Sequence, residues 1–313
     1  MLTRALSRLL QTVLVMLGVV TAMFLAVRAL PGDPAVQLAG PSATPATIVA
    51  IRAQYHLNDP IFTQYTHWLG QLLSGNLGIS IIYQTKVTTL IGQSLQPSLQ
   101  LLVAAMVIGV PLGVLGGVLA ATHRRKPADL AVSGAGSVVL GMPAFWTGLL
   151  MLLLFSVKLH WFPSGGWANV FTNPGDGFTT LAMPTVTLGA GVAAVQARFV
   201  RSSMIEALTG DYVRTARAKG ASERRVVWVH ALRNALLPVI TITGIQVGAL
   251  LGGVVVIENV FARPGLGTLI ANAISQRDYP VVQGVTLVLV AVFVLVNLAV
   301  DLLYSVVDPR IRH

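Results

Sequence analysis

Residues 211–238 read DYVRTARAKGASERRVVWVHALRNALLP. Arg214, Arg217, Lys219, Arg224, Arg225 and Arg233 lie in this stretch, six of the 21 Lys and Arg residues of a 313-residue chain that is only 10% charged. Both flanks are almost uncharged and strongly apolar. A basic island between apolar runs can be a cytoplasmic anchor, a nucleic-acid binder or a docking element for a partner. The remainder of the chain has to decide among them.

Composition narrows the class first. The chain is 54% hydrophobic, its mean hydropathy is +0.75, and its charged share is less than half the quarter or so that a soluble domain carries. These values fit an integral membrane protein. The net charge of +10 would suit nucleic acid only if the cations gathered on a soluble surface, so their placement matters more than their sum. The absence of cysteine excludes a disulfide framework and thiolate metal sites. The opening MLTRALSRLLQTVLVMLGVVTAMFLAVRAL has the basic start of a signal peptide. Its apolar run is too long for one, and no small-x-small cleavage pattern follows, so it reads as a retained first span.

A helix needs roughly 20 apolar residues to cross a bilayer. Six stretches lack Asp, Glu, Lys and Arg: between Arg8 and Arg28, Lys86 and Arg124, Asp129 and Lys158, Asp176 and Arg198, Arg233 and Glu258, and Asp278 and Asp301. They predict spans at about 9–30, 98–121, 132–157, 179–200, 236–257 and 281–304. With the N-terminus inside, the cytoplasmic segments hold 15 of the 21 Lys and Arg residues and the outer segments hold six. The positive-inside bias therefore predicts six transmembrane helices with both termini cytoplasmic, and it puts the basic island inside. The domain reading is an N-terminus and first span over 1–30, an external helical cap over 31–97, and a five-helix core over 98–313 with a cytoplasmic loop at about 201–235.

Within the cap, Thr44-Pro45 predicts an N-cap with Pro at the first helical position, and Ile48, Ile51 and Tyr55 share one face of that helix. Asp59-Pro60 predicts a second helix, with a stripe of Ile61, Tyr65, Trp68, Leu69 and Leu72 that ends near Gly75. Tyr65 and Trp68 suit a membrane interface; a plain spacer is the alternative. Gly109, Gly113 and Gly117 in the second span, and Gly244, Gly248 and Gly252 in the fifth, recur at four-residue spacing and let helix backbones approach closely. Packing within the chain is the simpler reading of both faces, and a subunit interface is the other.

No enzyme motif is present. There is no G-x-x-x-x-G-K-[ST] loop for ATP, the six His residues are scattered without zinc spacing, and no nucleophile is placed beside a base. The span centres contain no ionisable residue, which argues against a proton-driven carrier. It leaves open a channel or a Na⁺-coupled carrier. If the chain moves a solute uphill, the energy comes from another polypeptide.

The basic island itself divides in two. Residues 202–219 continue helically from the fourth span. Gly220 stops that helix in the left-handed region, and Ala216 and Ala218 keep the surface before it slim. Ser222 then caps a second helix with Glu223 in its first turn. A stripe of Val226, Val229, Leu232 and Leu236 leads this helix into the fifth span. A DNA-binding helix-turn-helix is possible in principle but disfavoured, because the second helix runs straight into a membrane span. A solvated loop and a docking element remain.

The run Tyr212-Val213-Arg214-Thr215-Ala216-Arg217-Ala218-Lys219-Gly220, with His230, Leu232, Arg233, Asn234 and Pro238 after it, resembles the cytoplasmic loop of ABC importer permeases of the dipeptide/oligopeptide/nickel family. The resemblance covers nearly the whole chain. PGDP at 31–34, QYTHWL at 64–69, GNLGIS at 75–80, ARFVRSSM at 197–204, IENVFARPGLG at 257–267, RDYP at 277–280 and DPRIR at 308–312 follow in order, and the region after the first span is similar to the first of the two permease subunits. Arg214-Thr215-Ala216 stands where the generic loop has Glu-Ala-Ala, which puts contacts resting on that Glu in doubt.

The resemblance implies an all-α polytopic fold of the type I ABC importer kind in a bacterial inner membrane. It implies no enzyme activity and no cofactor in this chain, since ATP and Mg²⁺ bind two partner ATPase subunits. A second homologous permease completes the pathway, an extracytoplasmic binding protein delivers the solute, lipids surround the spans, and no nucleic acid is involved. The coupling contact falls to Tyr212, Arg214, Thr215, Ala216, Arg217, Lys219, Gly220, Glu223 and Arg224. Docking of the binding protein falls to the 31–95 cap and the 258–280 loop, with Glu258, Asn259, Arg263, Arg277 and Asp278 as polar candidates. An ion pair is the alternative for Arg277 and Asp278, and a purely structural turn for Pro264 to Gly267. Gln100, Gln196, Thr243 and Gln246 are pathway candidates, together with Gln96, Thr187, Thr241 and Asn297. Each of these could equally be a helix–helix contact. Short peptides are the expected solute, with nickel or metal chelates as the alternative. A stand-alone channel or Na⁺-coupled carrier is the alternative of a different class.

Overall fold

A backbone surrounded by hydrocarbon must satisfy its own hydrogen bonds, so apolar runs of this length fold as helices. A computed structural model describes residues 14, 16–26, 34–40, 43–54 and 57–307. Among them the regular structure is helical: α1 (Met16–Ala26), α2 (Pro34–Ala39), α3 (Pro45–Gln54), α4 (Ile61–Leu73), α5 (Val87–Thr122), α6 (Pro127–Gly141), α7 (Ala144–Met151), α8 (Pro174–Thr209), α9 (Asp211–Ala218), α10 (Glu223–Arg225), α11 (Leu232–Val260), α12 (Leu266–Ser275) and α13 (Tyr279–Val307). Two π-helical segments, Leu152–Lys158 and Val226–Ala231, continue α7 and join α10 to α11.

Among the described residues four helices, Val87–Thr122, Pro174–Thr209, Val239–Val260 and Tyr279–Leu298, are long and apolar enough to cross a membrane. The expected span at 132–157 is not one straight helix. Pro127–Gly141 and Ala144–Lys158 meet at 101°, and counted together they make a fifth candidate. The cause is Pro143, which donates no N–H and drives the residue before it out of the helical region; Met142 has φ −99° and ψ 133°. The expected first span, 9–30, lies only partly within the described residues. What is described there is the short apolar helix Met16–Ala26.

The chain divides into two compact units, Met1–Leu95 with Leu269–Val292, and Gln96–Thr268 with Phe293–His313. In the first unit, Phe24 is buried against Tyr65 and Trp68, with ring centroids 5.3 Å away in each case, and Thr21 and Tyr65 share a hydroxyl bond of 2.7 Å. Tyr65 and Trp68 thus serve a packed cluster, as the α4 stripe predicts, whereas Ile61 at the head of that stripe is exposed. Thr44 does cap α3, its hydroxyl accepting the Thr47 N–H at 3.3 Å; Tyr55 lies outside the described residues. Gly284 on α13 has no room for a Cβ, which would lie 2.6 Å from Val87.

The second unit is built around α8, which packs against α6, α7 and α11. Its tightest approach is to α5. A Cβ on Gly109 would sit 2.7 Å from the Gly189 carbonyl oxygen, one on Gly113 2.4 Å from the Gln196 Cβ, and one on Gly117 2.5 Å from the Val200 Cβ. The glycine face of the second span is therefore an intrachain helix contact. In the fifth span only part of the face is used: Gly248 lies under the Phe293 ring, 2.5 Å from an added Cβ, and Gly252 has nothing within 4 Å. Two apolar clusters fill the unit. One centres on Leu101, Ala105, Leu188, Val192, Val254, Ile257 and Phe261, the other on Val118, Val200, Met204, Ala231, Ala235 and Val239.

Overpacking a close helix contact costs about 1–3 kcal/mol. Gly113→Ala is expected to lower the thermal midpoint of the detergent-solubilised protein by several degrees. Gly252→Ala, with open space and better helix propensity, leaves it unchanged or raises it.

Candidate functional site

The basic island begins where a 36-residue helix ends. Helix α8 runs from Pro174 to Thr209 and stops one residue short of Asp211. The sequence reading of one helix over 202–219 is thus corrected: Gly210, at φ −67° and ψ 150°, breaks it. A Cβ at Gly210 would lie 2.6 Å from the ring of Tyr212, whose exposed side chain would have to move aside. Helix α9 is anchored by one fully buried side chain, Val213, and its remaining residues are exposed apart from Ala216, which is half-buried.

After α9 the chain turns at Gly220, whose φ is +83°. Lys219, Gly220 and Ala221 donate their N–H groups to Thr215, Arg217 and Ala216, at 3.1, 2.9 and 3.1 Å. These bonds close the helix end as the sequence predicts. Ser222 occupies the N-cap position of α10, but it caps without a side-chain hydrogen bond. Arg217 donates instead, through Nε and Nη2, to both Glu223 oxygens at 2.7 and 3.1 Å, and the pair staples the turn. The other ion pair here, Arg214 with Asp211 at 3.3 Å, is fully solvent-facing. Lys219 and Arg224 are exposed.

The stripe leading into the fifth span also needs correction. Val226, Ala231, Leu232 and Ala235 are buried, while Val229 is 53% exposed. The segment Val226–Ala231 is π-helical, and its wider turn shifts the register, rotating Val229 outward and Ala231 inward. The result is a short, cationic, surface-mounted helix that packs on α8 and on the π turn, with Val213 buried and a sharp glycine turn at its tip.

The outer-loop candidates fall out differently. Glu258, Arg263 and Asp278 are fully buried, so they cannot present side chains to a docking partner in this conformation. Glu258 accepts the Ser98 hydroxyl and the N–H groups of Gly267 and Thr268 at 2.7 and 3.4 Å, and Ser98 in turn accepts the Leu266 N–H at 2.8 Å. These are the unpaired amides of the first turn of α12, here capped by a carboxylate from α11. The arrangement explains Pro264-Gly265-Leu266-Gly267 as a structural turn. A Cβ at Gly265 would lie 2.0 Å from a Glu258 oxygen, and one at Gly267 2.3 Å from the Val255 Cα. Arg263 donates through Nε to the Pro97 carbonyl at 3.3 Å. In the other unit, Asp278 accepts the Ser80 hydroxyl and the N–H groups of Ile81 and Ile82, at 3.2 and 3.3 Å for the amides. Asn259 and Arg277 remain exposed.

Of the pathway candidates, Gln196, Thr243 and Gln246 come together on α8 and α11. Gln196 donates to the Thr243 hydroxyl, and both glutamines are buried. Their remaining Gln196 Oε1 and Gln246 Nε2 atoms have no partner among the described residues. Gln100 stands apart, bonded to Trp167 and Asn169 at 3.2 and 3.3 Å. Thr187 bonds to the Met183 carbonyl and Asn297 to that of Phe293; Gln96 and Thr241 are exposed.

One charged contact escaped the sequence reading. Arg201 on α8 grips Asp129 on α6 through two bonds of 2.6 and 2.8 Å, and the Arg125 N–H adds a third at 2.8 Å. The available signal was a single carboxylate in the Arg124-Arg125-Lys126 loop.

Residues 113–313 match the family described as binding-protein-dependent transport system inner membrane component, and residues 1–111 match the N-terminal component of the same system. The chain belongs to this family. As a permease subunit of an ABC importer, it is 40% identical to the "Probable peptide ABC transporter permease protein y4tP" of Sinorhizobium fredii, over 98% of each chain. It is 41% identical to the glutathione transport system permease protein GsiC of Escherichia coli over the full length of both. Its fold follows that of a chain of the inward-facing MetNI methionine ABC transporter, with a TM-score of 0.59 and 21% identity, over 71% of the permease and 97% of that chain.

The Glu223 carboxyl of the permease is held below its ordinary range by its hydrogen bonds from Arg217 and by that cation's charge. A lowered carboxylate value means the pair's contribution is present above the ordinary glutamate range and is lost as pH falls through the folded value. Glu223→Gln is therefore expected to reduce hydrogen-exchange protection of the 219–221 amides at neutral pH. The difference from the unsubstituted chain vanishes once Glu223 is protonated.

Proposed function

We propose that this permease forms half of the translocation pathway for short peptides in an ATP-driven importer. The observation that carries the reading is full-length identity of about two-fifths to permeases named for peptide and glutathione transport. The uncharged span centres support an organic solute over a metal ion, since no carboxylate or imidazole lines them. A binding protein outside delivers the peptide, a second permease completes the pathway, and two ATPase subunits beneath it bind ATP and Mg²⁺; this chain holds no cofactor and is not an enzyme. The chain crosses the bacterial inner membrane six times with both termini cytoplasmic, a topology supported by the 15-to-6 division of Lys and Arg.

In this reading α9 is the coupling helix. Tyr212, Arg214, Thr215, Ala216, Arg217, Lys219, Gly220, Glu223 and Arg224 face the ATPase cleft. Their support is the exposed, cationic surface of α9 and its single buried anchor at Val213. ATP-driven closure pushes α9, and α8 and α11 carry the displacement into the membrane. Asn259 and Arg277 are the remaining polar candidates for binding-protein contact. Gln196, Thr243 and Gln246 remain the pathway candidates of α8 and α11; in this conformation both glutamines are buried, and their support is the partnerless Gln196 Oε1 and Gln246 Nε2 atoms.

The space around Gly220 is open, so a side chain there is opposed by backbone conformation alone, at about 1–2 kcal/mol. Gly220→Asp is expected to leave the chain in the membrane while uncoupling uptake from ATP hydrolysis. Undiminished ATP-dependent peptide uptake by that variant, in reconstituted vesicles, would sink the assignment.

A further inference from the structure

The Arg124-Arg125-Lys126 run and Arg198 play no part in the coupling segment or the outer turn. Arg198 lies, with Arg201, in a groove of about 590 Å³ between α6 and α8, and the Arg124-Arg125-Lys126 run immediately precedes α6. Small and aliphatic side chains make its walls, among them Val132, Gly136, Leu140, Ala194 and Ala197, and Ser133 and Ser137 add hydroxyls along α6. Arg198 and Arg201 close the charged end. Arg201 already spends Nε and Nη2 on Asp129. Arg198, one turn away on the same face, is exposed and makes no hydrogen bond or ion pair among the described residues. Arg124, Arg125 and Lys126 are exposed just ahead of α6. Asp129, the carboxylate of the groove lining, is already taken by Arg201, the Arg125 N–H and the Ser133 hydroxyl, which leaves Arg198 as the lining cation without a partner among the described residues.

We infer that this groove binds an anionic phospholipid, with the headgroup phosphate at Arg198 and Arg201 and an acyl chain along the apolar walls. A basic pocket between membrane helices, at the level where cationic loops leave the bilayer, is a recognised headgroup geometry, and a guanidinium fork matches phosphate. Most of α6 faces outward, with Leu130 68% and Val138 59% exposed, as lipid contact requires. The inference depends on the chain's membrane embedding and is independent of its solute and of ATPase docking.

The test uses the full chain, co-expressed with its partner subunits and extracted in mild detergent. Native mass spectrometry follows retention of added dioleoyl phosphatidylglycerol and, separately, dioleoyl phosphatidylcholine. The expected result is preferential retention of phosphatidylglycerol, weakened about fivefold by Arg198→Gln, the effect of one interfacial cation, and restored by Arg198→Lys. Gly136→Leu, which fills the groove without touching the cations, should weaken retention of the same lipid. Equal retention of the two lipids overturns the inference, as does indifference to Arg198→Gln. So does release of a partner subunit by Arg198→Gln with lipid retention unchanged, which assigns the groove to a protein. These readouts come from this chain's mass whether or not ATPase subunits copurify.

Discussion

The backbone of α5 lies against the backbone of α8, and the rest of the larger unit depends on that contact. Gly109, Gly113 and Gly117 present no side chain, so the carbonyls of Gly189, Ala193 and Ala197 come within 2.7 Å of where three Cβ atoms would be. Without a hydrophobic force between helices in lipid, such closeness is what makes dispersion contacts strong enough to hold them. Once α8 is fixed this way, its other faces take α6, α7 and α11. Its C-terminal end then carries α9.

The buried charges work on the same principle of restricted freedom. A carboxylate out of water is costly unless its oxygens are filled. Glu258 is filled by a hydroxyl and two amides, Asp278 by the same kinds of donor, and Asp129 by a guanidinium fork, an amide and a hydroxyl. Each fixes a junction: the first turn of α12 on α11, the 80–82 turn on the approach to α13, and the start of α6 on α8. These residues hold junctions, and their side chains are buried. Of the outer polar residues that the sequence offers for binding-protein contact, Asn259 and Arg277 are the exposed ones.

Much of this was legible in the sequence because the membrane simplifies the code. Stretches free of charge became helices, Gly220 adopted the left-handed turn its place after Lys219 predicts, and the glycine spacing in α5 marked a close helix contact. The misses have physical reasons. Polarity does not stop a helix, so α5 begins at Val87 although Gln93, Ser94 and Gln96 lie ahead of the predicted span. The Gly141-Met142-Pro143 bend was visible as a proline but was hidden by the apolar run around it. The π turn at Val226–Ala231 leaves no trace in a 3.6-residue pattern, which is why Val229 was assigned to the wrong face. Burial of Glu258 and Arg263 could not be read from local sequence, because their partners Ser98 and Pro97 lie some 160 residues away. The glycines at 265 and 267 were the only nearby sign that a side chain needed the space.

Coupling by this chain requires that α9 be the surface an ATPase subunit grips. Because the chain contains no cysteine, Thr215→Cys gives a unique thiol on the exposed face of α9. A short thiol-to-amine crosslinker applied to the co-expressed assembly should yield one adduct, whose mass is that of this chain plus one ATPase subunit and whose yield changes when ATP is added. A thiol that labels freely in the intact assembly, with no such adduct while the ATPase is bound elsewhere, would contradict the account.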